Sequence, residues 1–258
     1  LLGELDRLVI RATKAMEAFQ FDETMKAIRG FAWETLADNY IELVKARLYG
    51  PDSPEKRAAQ STLYRAIETV ARLMAPFTPF ISEEIFHTLT GESVHVQSWP
   101  EPEGIKVDPA GLAIKEIAAA IRRYKAEKGM ALNAPLPGIV VYSELGLETI
   151  DLSGVANSSV ESRAGKPDIE MKPVAVRPQI KIIGPRFKDK SGKIIKALGA
   201  MDPAWAAEQK ASGSIRVDVD GVSIDLSAEA GKIEMETLSA GLAVDVLRLE
   251  GASVLVRR

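Results

Sequence analysis

Ile121-Arg122-Arg123-Tyr124-Lys125-Ala126-Glu127-Lys128-Gly129-Met130-Ala131-Leu132-Asn133-Ala134-Pro135-Leu136-Pro137-Gly138-Ile139-Val140-Val141-Tyr142 is where one periodicity stops and another begins. Upstream, Ile114, Ile117, Ala118, Ile121 and Tyr124 recur on one side of a long helix that Asp108-Pro109 starts and Gly129 ends. Downstream, the apolar period falls to two. Strands are expected at Ile139–Tyr142, Ile169–Val176, Gln179–Ile183, Ile215–Val219, Val222–Leu226, Ile233–Leu238, Val244–Leu249 and Ser253–Val256. Asp220-Gly221 and Glu250-Gly251 sit where tight hairpin turns belong. Helices interrupt the strands near 187–200 and 203–211, the second capped by Asp202-Pro203. The sequence predicts a multidomain chain: an all-α helical bundle followed by an α+β domain with mainly antiparallel strands.

The bundle is read over residues 1–89. Leu1, Leu5, Leu8, Ala12, Ala15 and Phe19 keep a helical period from the first residue. Asp22 is the expected N-cap of a second helix, which Gly50-Pro51 ends. Ser53-Pro54-Glu55 places a capping hydroxyl, a proline and an acid at the start of a third helix, which runs to Met74. Thr78-Pro79 restarts a short fourth helix that ends near Leu89, before Gly91. The proline- and glycine-rich residues 90–108 read as a linker that Trp99 pins against the bundle, and 109–258 as the α+β domain beginning with the long helix. The two domains are expected to fold as separable units joined through that linker. The chain opens inside a helix on Leu rather than Met, so it is expected to be an excised piece whose first bundle helix precedes Leu1.

Composition removes whole classes of chemistry. Among 258 residues, 46% are hydrophobic and 27% charged, the balance of a globular protein. Without cysteine there is no disulfide, thiolate zinc site, iron–sulfur cluster or cysteine nucleophile, and two histidines, His87 and His95, make no His-rich metal site. No apolar run reaches the ~20 residues that a membrane helix needs. Ala164-Gly165-Lys166-Pro167 and Gly192-Lys193-Ile194 lack the spacing and the hydroxyl of a phosphate loop. Glu83 and Glu84 are adjacent on a helix and point about 100° apart, so they form no acid/base pair and are expected to favour that helix's N-terminal end. No catalytic site, metal or cofactor is expected in this chain, which reads as a binding or scaffolding module.

Lys and Arg number 33 against 36 Asp and Glu, net −3, yet residues 163–196 carry ten Lys/Arg and three acids. Such a stretch is a candidate contact for a polyanion, or a solvated face neutralised by acidic neighbours in the fold. The candidate RNA-gripping cations are Arg122, Arg123, Lys125 and Lys128 on the long helix, with Arg122 and Lys125 three apart on one face. Beyond it they are Arg186, Lys188, Lys190, Lys193 and Lys196. The aromatic residues Phe31, Trp33 and Tyr40, at helical spacing, are expected in the core, and Lys45 and Arg47 at the C-terminal carbonyls of their own helix.

Specific motifs add a resemblance. Asp38-Asn39-Tyr40-Ile41-Glu42-Leu43-Val44-Lys45 resembles the Asn-Tyr-Ile-Glu-Leu-Val-Lys helix in the anticodon-binding domain of valyl-tRNA synthetases. Met74-Ala75-Pro76-Phe77-Thr78-Pro79-Phe80-Ile81-Ser82-Glu83-Glu84-Ile85 resembles the hinge of the same domain, and Ser93-Val94-His95-Val96-Gln97-Ser98-Trp99-Pro100 the segment after it. Arg122–Lys128 and Ile180-Lys181-Ile182-Ile183-Gly184-Pro185-Arg186-Phe187 are similar to C-terminal junction segments of archaeal-type enzymes and many isoleucyl enzymes. The resemblance implies the anticodon-side, tRNA-binding C-terminal portion of an archaeal-type valyl-tRNA synthetase. It implies a valine-accepting tRNA as partner, a catalytic body upstream in the same chain, ATP and Mg²⁺ for that parent, and a cytoplasmic setting. The family's ATP-binding His-Ile-Gly-His and Lys-Met-Ser-Lys-Ser signatures do not occur in these residues, so the piece itself is expected to be inactive. The same region of an isoleucyl enzyme, and a protein-docking module of a synthetase assembly, are the alternatives.

Overall fold

A computed structural model describes residues 1–258. Its first helix, α1 (Leu2–Glu17), buries Leu5, Leu8, Val9, Ala12 and Ala15, as the period requires. The helix closes at Ala18 with paired C-terminal bonds, Phe19 N–H to Met16 O (3.0 Å) and Gln20 N–H to Ala15 O (2.8 Å). The left-handed position of that motif is Phe19 (φ 58°), where glycine is usual, and its ring is 79% exposed rather than turned inward as expected. The next helix, α2 (Phe21–Gly30), therefore starts before the expected cap: Asp22 lies inside it, and Gln20 holds the cap position without a side-chain bond.

From α2 the rod continues unbroken through a π-helical stretch, Phe31–Ile41, into α3 (Glu42–Tyr49), with Gly30 and Glu42 both in right-handed helical dihedrals. Asn39 Nδ2 donates to Glu34 O at 2.5 Å, satisfying a carbonyl inside the widened turns. Two residues apart on a helix, side chains point about 200° from one another, so Trp33 faces away from Phe31. Phe31 and Leu36 are buried and Tyr40 half-buried, but Trp33 is 68% exposed, against the core position predicted for it. After it come α4 (Pro54–Met74), where Ser53 accepts the Lys56 N–H at 3.1 Å, and α5 (Pro79–Thr90), closed by Gly91 at φ 78°. Leu5, Leu8, Ile28, Phe31, Leu36 and Leu73 meet in the bundle core. Each fully buried side chain of this size contributes about 1.5–3 kcal/mol relative to exposure.

Residues 91–108 lie along this bundle. Glu83 does not serve its own helix end; its carboxylate accepts Ser93 Oγ–H (3.0 Å) and Val94 N–H (2.9 Å), and the Val94 bond holds its carboxyl below the usual range. Arg72 donates to Ser98 O, Trp99 Nε1–H donates to Thr13 Oγ1 at 2.8 Å, and buried Asp6 accepts the Glu103 and Ile105 N–H groups. A Cβ on Gly3 would stand 2.7 Å from the Lys106 backbone, so glycine is what lets this segment pass so close.

Helix α6 (Pro109–Glu127), capped by Asp108, leads to β1 (Ile139–Ser143), α7 (Ile150–Ala156) and β2 (Val160–Arg163), which pairs parallel with β1. The short α7 and β2 were not expected from the sequence. The chain divides into two compact units, Leu1–Lys166 with Leu247–Val256, and Pro167–Val246 with Arg257–Arg258. The sequence placed a boundary in 90–108, whereas α6 and α7 share a unit with the bundle. Leu43 of α3 packs onto the core made by Ile117, Ile121, Leu152 and Val254, and Gly154 of α7 abuts Ala46.

In the second unit β3 (Glu170–Pro178) is followed by α8 (Ile180–Phe187), α9 (Ser191–Gly199) and α10 (Pro203–Ala211), capped by Asp202 through the Trp205 N–H at 2.8 Å. Then come β4 (Ser214–Val219), β5 (Val222–Ser227), β6 (Gly231–Ser239) and β7 (Leu242–Leu249). β3–β6, β4–β5 and β6–β7 are antiparallel pairs. The strand expected at Gln179–Ile183 is instead the start of α8: the ladder of β3 ends at Pro178, and the Ile182 and Ile183 N–H groups bond to Gln179 O. Ile183, Ile194, Leu198, Ile215, Val217 and Leu226 fill this unit's core. Within β7 the chain returns to the first unit, where β8 (Ala252–Arg257) pairs antiparallel with β1 from Ile139↔Val256 to Ser143↔Ala252.

Candidate nucleic-acid interface

On α6 the four candidate cations separate into two pairs. Arg122 and Lys125 do share a face, and it is the inner one. The Lys125 ammonium is fully enclosed and donates to Leu132 O (2.8 Å), Val155 O (2.8 Å) and Ala156 O (3.3 Å); burial lowers its pKa. It cannot reach a phosphate, so Lys125 leaves the list of RNA contacts and becomes the clasp that joins α6 to the C-terminal carbonyls of α7. Arg122 is half-buried; Nη2 donates to Asn39 Oδ1 at 3.2 Å, while Nη1 is buried with no acceptor. Arg123 and Lys128 are exposed, the Lys128 ammonium 5.4 Å from the Tyr124 ring centroid.

Arg47 does not serve its own helix end either. Its Nε and Nη2 lie 2.7 Å and 2.9 Å from the two Asp151 oxygens, a pairing of α3 with α7. Burial pushes the Asp151 carboxyl up and Arg47 opposes it, so the pair is held by geometry that a lone buried acid would not tolerate. Lys45, by contrast, pairs with Glu42 at the surface.

The basic stretch, which runs from the end of the first unit into the second, is partly neutralised. Arg163 (at the unit boundary) pairs with Glu161, Arg177 with Glu234, and Lys193 with Asp220 at 2.6 Å. Arg186, Lys188 and Lys190 are exposed and form no ion pair, and the same is true of Lys181 and Lys196. These three free cations lie within five residues where α8 ends and α9 begins; Lys188 has φ 36°, and the first turn of α9 has no side-chain cap. A 3-10 turn, Lys188–Lys190, joins the two helices and ties the Ser191 N–H to Lys188 O, and the Arg186 guanidinium lies 5.4 Å from the Phe187 ring centroid, so what the turn offers a phosphate is three cations without acidic partners.

Aromatic faces that the sequence assigned to the interior, or left unread, stand outside the bundle. Arg29 and Trp33, four residues apart, are both exposed, and Arg29 has no acidic partner. Phe19 and Phe21 meet edge to face, 6.1 Å between centroids, at the α1–α2 turn. The signal in the sequence was there: an Arg-x-x-x-Trp spacing, and two phenylalanines inside an otherwise polar turn. No three side chains converge in a way that would hold a metal ion.

A family model described as the anticodon-binding domain of tRNA ligase matches residues 1–140. The valine–tRNA ligase of Methanothrix thermoacetophila is 60% identical over 258 residues, 100% of this chain and 30% of that protein. That of Methanosarcina barkeri is 51% identical over 262 residues, and that of Archaeoglobus fulgidus 41% over 261, at the same 30% of their length. The chain thus spans under a third of the curated relatives that it matches.

Proposed function

The chain belongs to the family of anticodon-binding domains of tRNA ligases, and from that premise we propose that it is the anticodon-side, tRNA-binding C-terminal portion of an archaeal-type valine–tRNA ligase. The observation that carries this reading is similarity to valine ligases along all 258 residues, not along the bundle alone. In this reading the catalytic body lies upstream in the same polypeptide, works in the cytoplasm, and joins valine to its tRNA with ATP and Mg²⁺. These residues do not fit the nucleotide: Gly165 sits in a half-buried bend at φ 87° and Gly192 inside α9, neither in a strand–loop–helix cradle. No step through ATP is derived from them.

The chain's part is recognition. An anticodon loop presents splayed bases, and the stem presents phosphates and 2′-hydroxyls. Trp33 with Arg29, and Phe19 with Phe21, supply π faces and a guanidinium for the bases, about 1–3 kcal/mol for each stacked base. Arg123, Lys128, Arg186, Lys188 and Lys190 take backbone charge without reading sequence. Lys193, already paired with Asp220, adds little. A protein-docking role is the alternative for residues 197–258, favoured by their ten acids against six Lys/Arg.

The test is equilibrium binding of valine-accepting and isoleucine-accepting tRNA transcripts to the 258-residue chain, with the two anticodons then exchanged. Affinity should follow the anticodon. Affinity that follows the body of the tRNA, or no binding at all, overturns the reading.

A further inference from the structure

We propose that the groove between α1 and the helical rod that α2 begins reads one amino-bearing base of the RNA (adenine, guanine or cytosine) between Arg7 and Glu34. This rests on the tRNA-binding reading above and gives α1 a part in it. The groove, about 340 Å³, is open to solvent. Its floor is apolar: Leu8, Ala27 and Phe31 line it and are buried. Gly30 leaves the rod's wall bare. It stands inside the rod in helical dihedrals (φ −58°, ψ −45°), and a Cβ there would meet nothing within 4 Å. Glycine in a helix interior weakens the helix relative to alanine, and no close approach of the chain's own atoms requires it here. A flat ring laid over its Cα does.

The charged groups on the walls select the ligand. Three of them are engaged: Arg11 with Glu23 at 3.5 Å, Lys26 with Asp22 and Glu23, and Glu4 with Lys115 at 3.2 Å. Arg7 and Glu34 are not. Both are exposed, neither has an ion pair, and they stand too far apart to pair with each other. One groove thus holds a reachable donor and a reachable acceptor with room between them. A phosphate does not fit that pair, because a carboxylate has no proton to donate and repels it. An amino-bearing base does: its amine donates to Glu34 while its ring nitrogen or carbonyl accepts from Arg7. Glutamate to the cytosine amine and arginine to guanine are established pairings of this kind. Uracil has no amine and would set a carbonyl against the carboxylate. Loop bases, unlike stem bases, are free to present these edges.

The experiment is a coupling cycle on the intact 258-residue chain with valine-accepting tRNA transcripts, in which each adenine, guanine or cytosine of the anticodon loop is replaced in turn by uracil. Arg7→Ala and Glu34→Ala should each weaken binding of the unaltered tRNA about 10- to 100-fold, and uracil at one position should weaken wild-type binding comparably. At that position the losses should not add. Glu34→Ala decides by its sign. Were Glu34 only a surface carboxylate near RNA, its removal would relieve repulsion and strengthen binding; a base contact makes the same change a loss. Gly30→Leu provides an independent block. It has room and a better helix former, so the variant should melt at or above the wild-type temperature yet lose binding as Arg7→Ala does. Unchanged or tighter binding in Glu34→Ala, wild-type affinity in Gly30→Leu, or losses that add at every loop position overturn the assignment. So does an Arg7→Ala loss equal for all RNAs with a shallower salt dependence, which marks a phosphate contact. Failure of the wild-type chain to bind tRNA is a different result, and it removes the parent reading instead.

Discussion

Replacing Arg186, Lys188 and Lys190 together with alanine tests whether the turn between α8 and α9 grips an RNA backbone. All three are exposed and make no ion pair, and Arg186 alone has another contact, its guanidinium 5.4 Å from the Phe187 ring centroid, so the charges remain available to a phosphate. Each phosphate neutralised on a duplex contributes up to about 0.9 to the slope of log affinity against log salt, so three contacts contribute up to about 2.7. Between 50 and 200 mM salt that difference amounts to roughly a 40-fold smaller loss of affinity for the triple variant than for wild type. Lys193→Ala is the internal control. Lys193 is already bound to Asp220, so its removal should change the slope by less than any of the three. The assay is a salt series on valine- and isoleucine-accepting tRNAs. The weakening should be equal for both, because backbone contacts carry no sequence information. Equal slopes for wild type and triple variant would refute the reasoning and give the turn to a protein contact; unequal weakening of the two tRNAs would refute the backbone assignment.

Three further outcomes follow from packing. Gly154→Ala places a Cβ 2.6 Å from Ala46 Cβ and should cost about 1–3 kcal/mol in urea unfolding; adding Ala46→Gly should recover part of it, and no cost in the single variant would contradict the contact. Lys125→Met should destabilise by about 2–4 kcal/mol near neutrality by stranding the Leu132 and Val155 carbonyls, Ala156 O keeping the Leu136 N–H. The folded pKa of Lys125 lies below its ordinary 10.5, so the native state binds fewer protons in between; the wild type's advantage over Lys125→Gln should widen as pH climbs through that interval, and a flat difference would count against the enclosure. Trypsin should cut first after Arg163, exposed beside the irregular 164–169 segment, since the Lys166–Pro167 bond resists it, whereas early cleavage at Lys106 would argue that residues 90–108 are not held to the bundle.

The helices were legible because caps and stops are local. Ser53-Pro54, Thr78-Pro79, Asp108-Pro109 and Asp202-Pro203 each start a helix where the sequence says, and the 3.6-to-2 change after Gly129 marks where strands begin. Ile-Lys-Ile-Ile at 180–183 suits either period, and what decided it was the end of the β3 ladder, a non-local fact. Trp33 follows the buried Phe31 by two residues, about 200° round a helix, so its spacing already opposed the core position expected for it; Lys125 could not be told from its exposed neighbours without knowing that α7 ends above it. The boundary between units was obscured because α6 begins after a proline-rich segment yet joins its core to Leu43.

The pairing of β1 with β8 joins residues about 110 positions apart, from Ser143 to Ala252. At ordinary rates of synthesis, about 5–20 residues per second, β1 leaves the ribosome roughly 5–20 s before its partner. Throughout that wait it presents Ile139, Val140 and Val141 with one open edge, a template on which a neighbouring nascent chain can add. The order of translation thus assigns this protein a vulnerable interval, and a chaperone that holds extended apolar segments would find its target in those three residues.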